Sequence, residues 1–361
     1  MEKSKGKISV RQALILFIVL TYSPSVRFAA NSTSRIAKQA AWLVPTVTSL
    51  ILFIMIYLLN KLLKGYKDKS FSEMIYDITS KFWGKVIVSL YFCWISIVIA
   101  LYIRYNSERL VSSLYPNVNM NVFTLSLLIL IGFIIRNGIV VIARMGELFL
   151  IIILLITIIL FTLMLPTVDI NNLVPISYLD VLPILKSSMS GAALFYLVYL
   201  LFFTHKVSRQ QEFLKYGNLT VMFIWFLNTT LIIASVGNLG HEIVSRSPLY
   251  FFLASKHITL LGTVSGFESI LVITWILSDF IMIIVLIFAC LNIAKSLFNL
   301  SSYNSFVNIY LVTLYLFSLI LAANLFELQE FSKEIVVYIN VLMQIIVPVI
   351  IVLIAKTRKK I

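Results

Sequence analysis

One carboxylate stands where carboxylates are rare. Asp279 lies near the middle of an apolar run, residues 267–295, where a charged side chain costs about 2.5–3.5 kcal/mol on insertion scales. Helical spacing sets Glu268, Val272, Trp275 and Asp279 on one face, which is therefore expected to look into protein and away from lipid. Two chemistries suit an acid there. It could bind a proton or a ligand's amine, or it could be a structural carboxyl paired with a hydroxyl or with Arg27. Both readings stay open at this level. A second group of polar atoms is Thr21-Tyr22-Ser23-Pro24-Ser25-Val26-Arg27, which interrupts an apolar run over residues 8–30. Proline removes a helix hydrogen bond and clashes one turn back. Lipid cannot satisfy the freed carbonyls, so such a break is buried in protein or lines a wet cavity. The alternative is a simple proline kink. A third group, Lys186-Ser187-Ser188-Met189-Ser190-Gly191-Ala192-Ala193, puts small residues inside another apolar run. Such a run permits close helix packing or local unwinding.

The elements that must position these groups follow from composition. Of 361 residues, 60% are hydrophobic and only 12% charged, with a mean hydropathy of +1.01. A span needs about 20 apolar residues, so the chain is an all-α polytopic membrane protein forming a single transmembrane domain over residues 1–361. Apolar runs and their punctuation predict ten spans, at about 8–30, 41–63, 83–112, 121–136, 138–165, 181–204, 217–239, 267–295, 304–323 and 334–355. Interruptions in spans one and six, five spans apart, are the pattern of a five-plus-five inverted repeat (about 8–165 and 181–355) with a binding site at the broken helices. The net charge of +14 forms no single patch. Most Lys and Arg lie on the side of the N-terminus, including Lys61 to Lys85 and Lys356 to Lys360, so both termini are expected in the cytoplasm. Ser70-Phe71-Ser72-Glu73 fits a capping box and predicts a short helix on that side.

Enzyme chemistry is missing from the sequence. There is no Walker loop, no Gly-x-Ser-x-Gly and no dinucleotide fingerprint. His205, His241 and His257 fall on both sides of the membrane and cannot share a metal, and no cofactor is implied. Cys93 and Cys290 lie inside apolar runs and read as packing residues. Arg104 and Glu108 are spaced as an ordinary i,i+4 pair.

Other residues carry a resemblance. Ala41-Trp42-Leu43 opens span two, Asp169-Ile170-Asn171-Asn172-Leu173-Val174-Pro175 follows span five, and Phe267-Glu268-Ser269 precedes Trp275 in span eight. In this order, over ten spans, the chain resembles the B subunits of endospore nutrient-germinant receptors, in the amino acid–polyamine–organocation transporter superfamily. The resemblance implies an amino acid permease-like fold with broken helices 1 and 6 and a small nutrient germinant, such as an amino acid, held between spans one, three, six and eight. Ligand would touch Tyr22, Ser23, Pro24, Ser25 and Val26, and Ser190, Gly191, Ala192 and Phe195. Ser96 and Ala100 of span three would face them, with Trp275 and Asp279 of span eight. It also implies partnership with an A-type membrane subunit and a C-type lipoprotein in the spore inner membrane. Two departures stand out. Glycines usual in the first break are replaced by Ser23-Pro24-Ser25, and a Gly-x-Glu often found in span six reads Tyr196-Leu197-Val198. Losing that glutamate puts the ligand class in doubt, and Asp279 is a candidate replacement. A sensor of this kind stands against a proton-coupled amino acid transporter with the same fold, and against an assembly subunit with a vestigial pocket.

Overall fold

The computed structural model describes residues 6–256 and 268–361. Seven helical runs are long and apolar enough to cross a membrane, and Met120–Ile135 and Asn304–Ile320 are shorter apolar helices. The first run, Val10–Gly65, has 56 residues and would be about 84 Å long as one helix, against about 30 Å of hydrocarbon. It divides at Lys38, where φ is 50° and a 3-10 turn, Lys38–Leu43, follows. Ten spans result. Span one covers residues 10–37, and spans two to five are Val44–Gly65, Lys81–Ser113, Met120–Ile135 and Ile139–Met164. Span six is built from Val181–Ala192, Leu197–Leu200 and a 3-10 turn, Leu201–Lys206. Spans seven to nine are Phe213–Arg246, Glu268–Leu297 and Asn304–Ile320, and span ten covers residues 325–357.

Span eight is the hub. In its most apolar stretch 78% of residues are buried, against 28% in span five, so span eight runs through the bundle while span five faces outward. The face carrying Leu271, Val272, Trp275 and Asp279 is buried, as the helical spacing required. The side chain of Glu268, on the same expected face, lies outside the described residues, as do Phe267 and His257.

Spans one and six are joined at one end by a two-residue parallel pairing, β1 (Ile8–Ser9) with β2 (Val207–Ser208). Ser9 also starts span one: its hydroxyl accepts from Gln12 N at 3.2 Å, while Gln12 Oε1 accepts from Ser9 N at 3.0 Å. The expected box at Ser70 caps Phe71–Ile78 in the same way, with Ser70 N donating to Glu73 at 2.7 Å. This short helix lies on the face that holds both termini. There Lys360 Nζ meets Asp77 at 2.7 Å and Arg358 donates to the carbonyls of Ile78 and Thr79.

The two sequence motifs nearest the opposite face pack together. Trp42 Nε1 donates to the Leu173 carbonyl at 3.4 Å, and Gln39 donates to that of Pro175 at 2.9 Å. Asn172 Nδ2 and Asp169 N both donate to the Gly237 carbonyl of span seven. Span seven turns at Gly240, whose φ of +75° suits glycine. The Asp169–Pro175 segment thus fastens the connection between spans five and six to spans two and seven.

Span one differs from its expected form. It does not unwind at Pro24. The α-helix Val10–Pro24 passes into a π-helical turn, Ser25–Ala29, and resumes as Ala30–Ala37. The wider turn follows the proline directly, keeps the helix continuous, and leaves the Ser25 carbonyl open to a side-chain donor. Tyr250, on the short helix Tyr250–Lys256, donates its hydroxyl to that carbonyl at 2.9 Å. Replacing Tyr250 by Phe leaves the carbonyl unpaired in an apolar setting, a loss of about 1–3 kcal/mol. The expected result is a lower unfolding midpoint for the purified protein in detergent; an unchanged midpoint would show that the π-turn does not depend on this bond.

Candidate functional site

Ser23 and Arg27 are four residues apart, so their side chains leave span one on the same side, and both reach Asp279 of span eight. Arg27 Nη2 donates to Asp279 Oδ2 at 2.7 Å, the Ser23 hydroxyl donates to Oδ1, and Asn106 Nδ2 of span three donates to Oδ2 at 3.2 Å. All four residues are buried. Of the two readings of Asp279, the geometry realises the pairing with Arg27 and a hydroxyl. Three donors from two other spans hold this carboxylate.

Span three supplies the rest of the wall at helical spacing, through Tyr102, Tyr105, Asn106 and Arg109. The Arg27 guanidinium lies 5.2 Å from the Tyr102 ring and 4.9 Å from the Tyr105 ring. The Arg109 guanidinium lies 4.3 Å from the ring of Trp275. Aromatic faces attract a cation without using its N–H groups. Accordingly, Arg27 Nε and Nη1, Arg109 Nη2 and Trp275 Nε1 are buried with no hydrogen-bond partner among the described residues. Arg104 and Glu108 make the expected i,i+4 pair at 2.9 Å.

The break in span six closes the cluster from below. Helix Val181–Ala192 ends, and Leu194 N and Phe195 N take tight bonds to the carbonyls of Gly191 and Ala192. The Ala193 carbonyl instead accepts from Asn340 Nδ2 of span ten at 3.1 Å. Asn340 also donates to the Tyr196 hydroxyl at 3.3 Å and accepts from Trp94 Nε1 at 2.9 Å. Tyr196 reaches Tyr102, with the hydroxyls 2.8 Å apart. One polar chain therefore runs from the break in span six to the ring that stacks on Arg27.

The residues expected at a ligand divide among several places. Ser23, Trp275 and Asp279 lie in the charged cluster. Ser25, Gly191 and Phe195 instead line a cavity of about 20 Å³ between spans one, two, six and seven, with room for about one water. The Ser25 hydroxyl is buried there without a partner among the described residues. Tyr22 turns to span five, its hydroxyl 2.7 Å from Thr157. Pro24, Val26, Ala100 and Ala192 are buried, and Ser190 is half-buried. Ser96 points away from both breaks, with its hydroxyl 2.8 Å from that of Tyr310 in span nine. Asn106, Arg109, Tyr102, Tyr196 and Asn340 were not anticipated. The stripe at 102, 105, 106 and 109 was visible as polar groups recurring at the helical period.

Residues 7–326 match the family of spore germination proteins, described as a spore permease. The chain belongs to this family. The family is not one of enzymes. A search of curated protein sequences finds no match. Among solved structures, the fold is similar to Mhp1, a nucleobase-cation-symport-1 family transporter, in a closed conformation with bromovinylhydantoin bound. Identity is 11% and the TM-score 0.71, over 97% of this chain and 78% of Mhp1. It is also similar to MhsT in complex with L-phenylalanine, at 11% identity and a TM-score of 0.67, over 94% of this chain and 89% of that one. A manganese transporter of Eremococcus coleocola matches at 12% identity and a TM-score of 0.65, over 92% and 74% of the two chains. At these identities the likeness concerns the fold, which is that of an integral multi-pass transporter and is consistent with the five-plus-five inverted repeat. In this spore germination protein, Tyr196 stands where the family resemblance led to a glycine, and its ring and hydroxyl fill space beside Arg27.

Two predictions follow from this geometry. Removing one partner of a buried ion pair strands the other and costs about 3–5 kcal/mol, whereas replacing both by apolar residues is often neutral. Asp279→Leu alone should therefore deplete folded protein in the membrane, and Arg27→Leu in the same chain should restore it. Normal abundance of the single variant would show that the pair is not structural. A Cβ on Gly191 would come within 2.9 Å of Thr48 Cγ2 in span two, so this glycine is a packing contact as well as a cavity wall. Gly191→Leu should lower thermal stability by about 1–3 kcal/mol through overpacking. Gly191→Ala should cost less, with Thr48→Ala recovering most of the loss; a Gly191→Leu protein of full stability would sink this assignment.

Proposed function

We propose that this protein is the ligand-sensing B subunit of a germinant receptor. It binds a small nutrient of the amino-acid class in a transporter-like pocket and passes a conformational change to an A-type membrane subunit and a C-type lipoprotein. The observation that carries the proposal is the cluster at Arg27, Arg109, Trp275 and Asp279. Ionisable groups buried inside a membrane bundle are costly, and by default they mark function. Here several of their donors have no partner among the described residues, beside a broken span. Family membership supplies the link to spore germination and supports a place in the spore inner membrane. The basic residues clustered on the face that holds both termini favour a cytoplasmic position for that face, with anionic headgroups as further partners.

The proton-coupled transporter is the weaker alternative. It needs a carboxylate that gains and loses a proton during each cycle, and Asp279 is held by Arg27, Ser23 and Asn106. The test is deletion of the gene in an endospore-forming host, followed by germination assays over a panel of single nutrients. Loss of response to one nutrient or a small set, restored by the wild-type gene, is the expected result. Unchanged germination across the panel, together with lost uptake of an amino acid by growing cells, would replace the sensor with the transporter.

A further inference from the structure

A cavity of about 30 Å³ lies just outside the charged cluster, walled by Arg27, Arg109 and Lys333, with Tyr105 and Gln329 between them and Pro248–Leu249 over the top. Three cations face one small space. Asp279 is the carboxylate that meets any of them at ion-pair distance among the described residues, and it meets only Arg27. Arg109 is 5% exposed and Arg27 6%, so water does not screen them well. Lys333, half-buried on a π-turn of span ten, makes no ion pair among the described residues. Glu330 and Glu334 on the same span are exposed, and Arg35 nearby adds positive charge.

An unpaired guanidinium buried in a bundle is costly, and aromatic rings hold these ones in place. The rings of Trp275, Tyr102 and Tyr105 bear on the guanidinium groups and leave N–H donors free. The planar fork of donors suits a carboxylate, which can take two of them at once. The volume admits an acid group, while the remainder of a ligand needs the Pro248–Leu249 cover displaced.

We propose that this cavity is the seat of the acid group of a net-anionic ligand, a small dissolved carboxylate, recognised by Arg109 and Lys333 with the free donors of Arg27. The proposal rests on the nutrient-binding reading above and narrows its ligand to molecules carrying at least one negative charge overall. A zwitterion with one carboxylate would leave the excess positive charge uncompensated. A monoanion removes one of the two excess positive charges, and a dianion removes both.

The test uses the purified full chain in detergent at fixed ionic strength, with ligand binding read by thermal shift and calorimetry. The probes are lactate, succinate, L-aspartate and L-glutamate, set against the uncharged side-chain amides L-asparagine and L-glutamine and against inorganic phosphate. At least one carboxylate should bind while its amide counterpart does not. Arg109→Gln should weaken that binding about tenfold or more, and Lys333→Gln by about threefold to tenfold, as expected for charge-assisted hydrogen bonds. Lys333 is less buried, so its variant keeps the proposal testable if Arg109→Gln fails to fold. Equal binding of acids and amides would overturn the anionic assignment and leave the nutrient pocket standing. Absence of binding by every probe and by a wider nutrient panel would remove both. Binding of phosphate alone, or full carboxylate affinity in either variant, would overturn the carboxylate site. Glu268→Gln supplies a last control: recovery of an unstable Arg109→Gln protein by Glu268→Gln would make Arg109 a structural partner of that glutamate and end the proposal.

Discussion

Hydrocarbon offers no hydrogen bonds, and that constraint organises this bundle. At four places where a span leaves regular α-geometry, a side chain from elsewhere meets a backbone carbonyl. Tyr250 takes the Ser25 carbonyl at the π-turn of span one, and Asn340 takes the Ala193 carbonyl at the break in span six. Tyr105 and Tyr91 of span three donate to the Leu328 and Met343 carbonyls of span ten, next to its two π-turns. These four irregular points are therefore also joints between elements. The irregular turns cannot be treated as local features, because losing one partner strands a carbonyl on another helix.

The charged cluster obeys the same rule with larger energies. Asp279 is satisfied from spans one and three, and Arg27 divides its interactions between Asp279 and two aromatic rings. The balance is incomplete, since Arg109 has aromatic contact without a hydrogen-bond partner among the described residues. A purely structural core would gain by replacing such a group with an apolar one. Incompleteness at this depth is the physical argument for function, and it is stronger than the presence of a pocket. The cavities beside the cluster hold little more than water, so the bundle is described in a closed form.

Much of the architecture was legible in the sequence, because apolar run length and charge placement reflect the bilayer directly. The boundaries shifted where polar residues belong to a span without facing lipid. Span ten begins at Leu325, with Asn324 as its cap, because Glu327, Gln329 and Lys333 ride on a segment that packs against span three; composition alone excluded it. Span one runs on through Asn31, whose amide donates to the carbonyls of Val244, Ser245 and Ser247. The interruption at Pro24 was legible as a position, but a π-turn and an unwound stretch leave the same trace in sequence. Site residues were harder. Asp279 and its pairing with Arg27 could be named because intramembrane charge is rare, whereas Ser96 was placed by resemblance and turns to span nine. Tyr196 and Asn340 carry no signal of their own, since a buried tyrosine or asparagine is recognisable only once its partner on another span is known.

The same connections constrain how a signal could leave the cluster. Asn340 ties the break in span six to span ten, Tyr196 ties it to Tyr102 of span three, and Tyr102 stacks on the guanidinium that grips span eight. A displacement of Arg27 cannot stay local, because Tyr102 is hydrogen-bonded to Tyr196 at the break in span six and Tyr105 to Leu328 and Ser332 of span ten. π-turns mark places where a helix holds one extra residue, and such turns are frequent at functional sites. Spans one and ten both carry them at the level of the cluster, so small shifts there can be taken up without unfolding either helix. Spans four and five meet this region through hydroxyl pairs, Ser107 with Thr124 and Tyr22 with Thr157, and present broad apolar faces outward. Motion driven from the cluster would thus run along spans one, six and ten towards the face that holds both termini, where β1–β2 joins spans one and six and Lys360 ties the end of span ten to the short helix at Asp77.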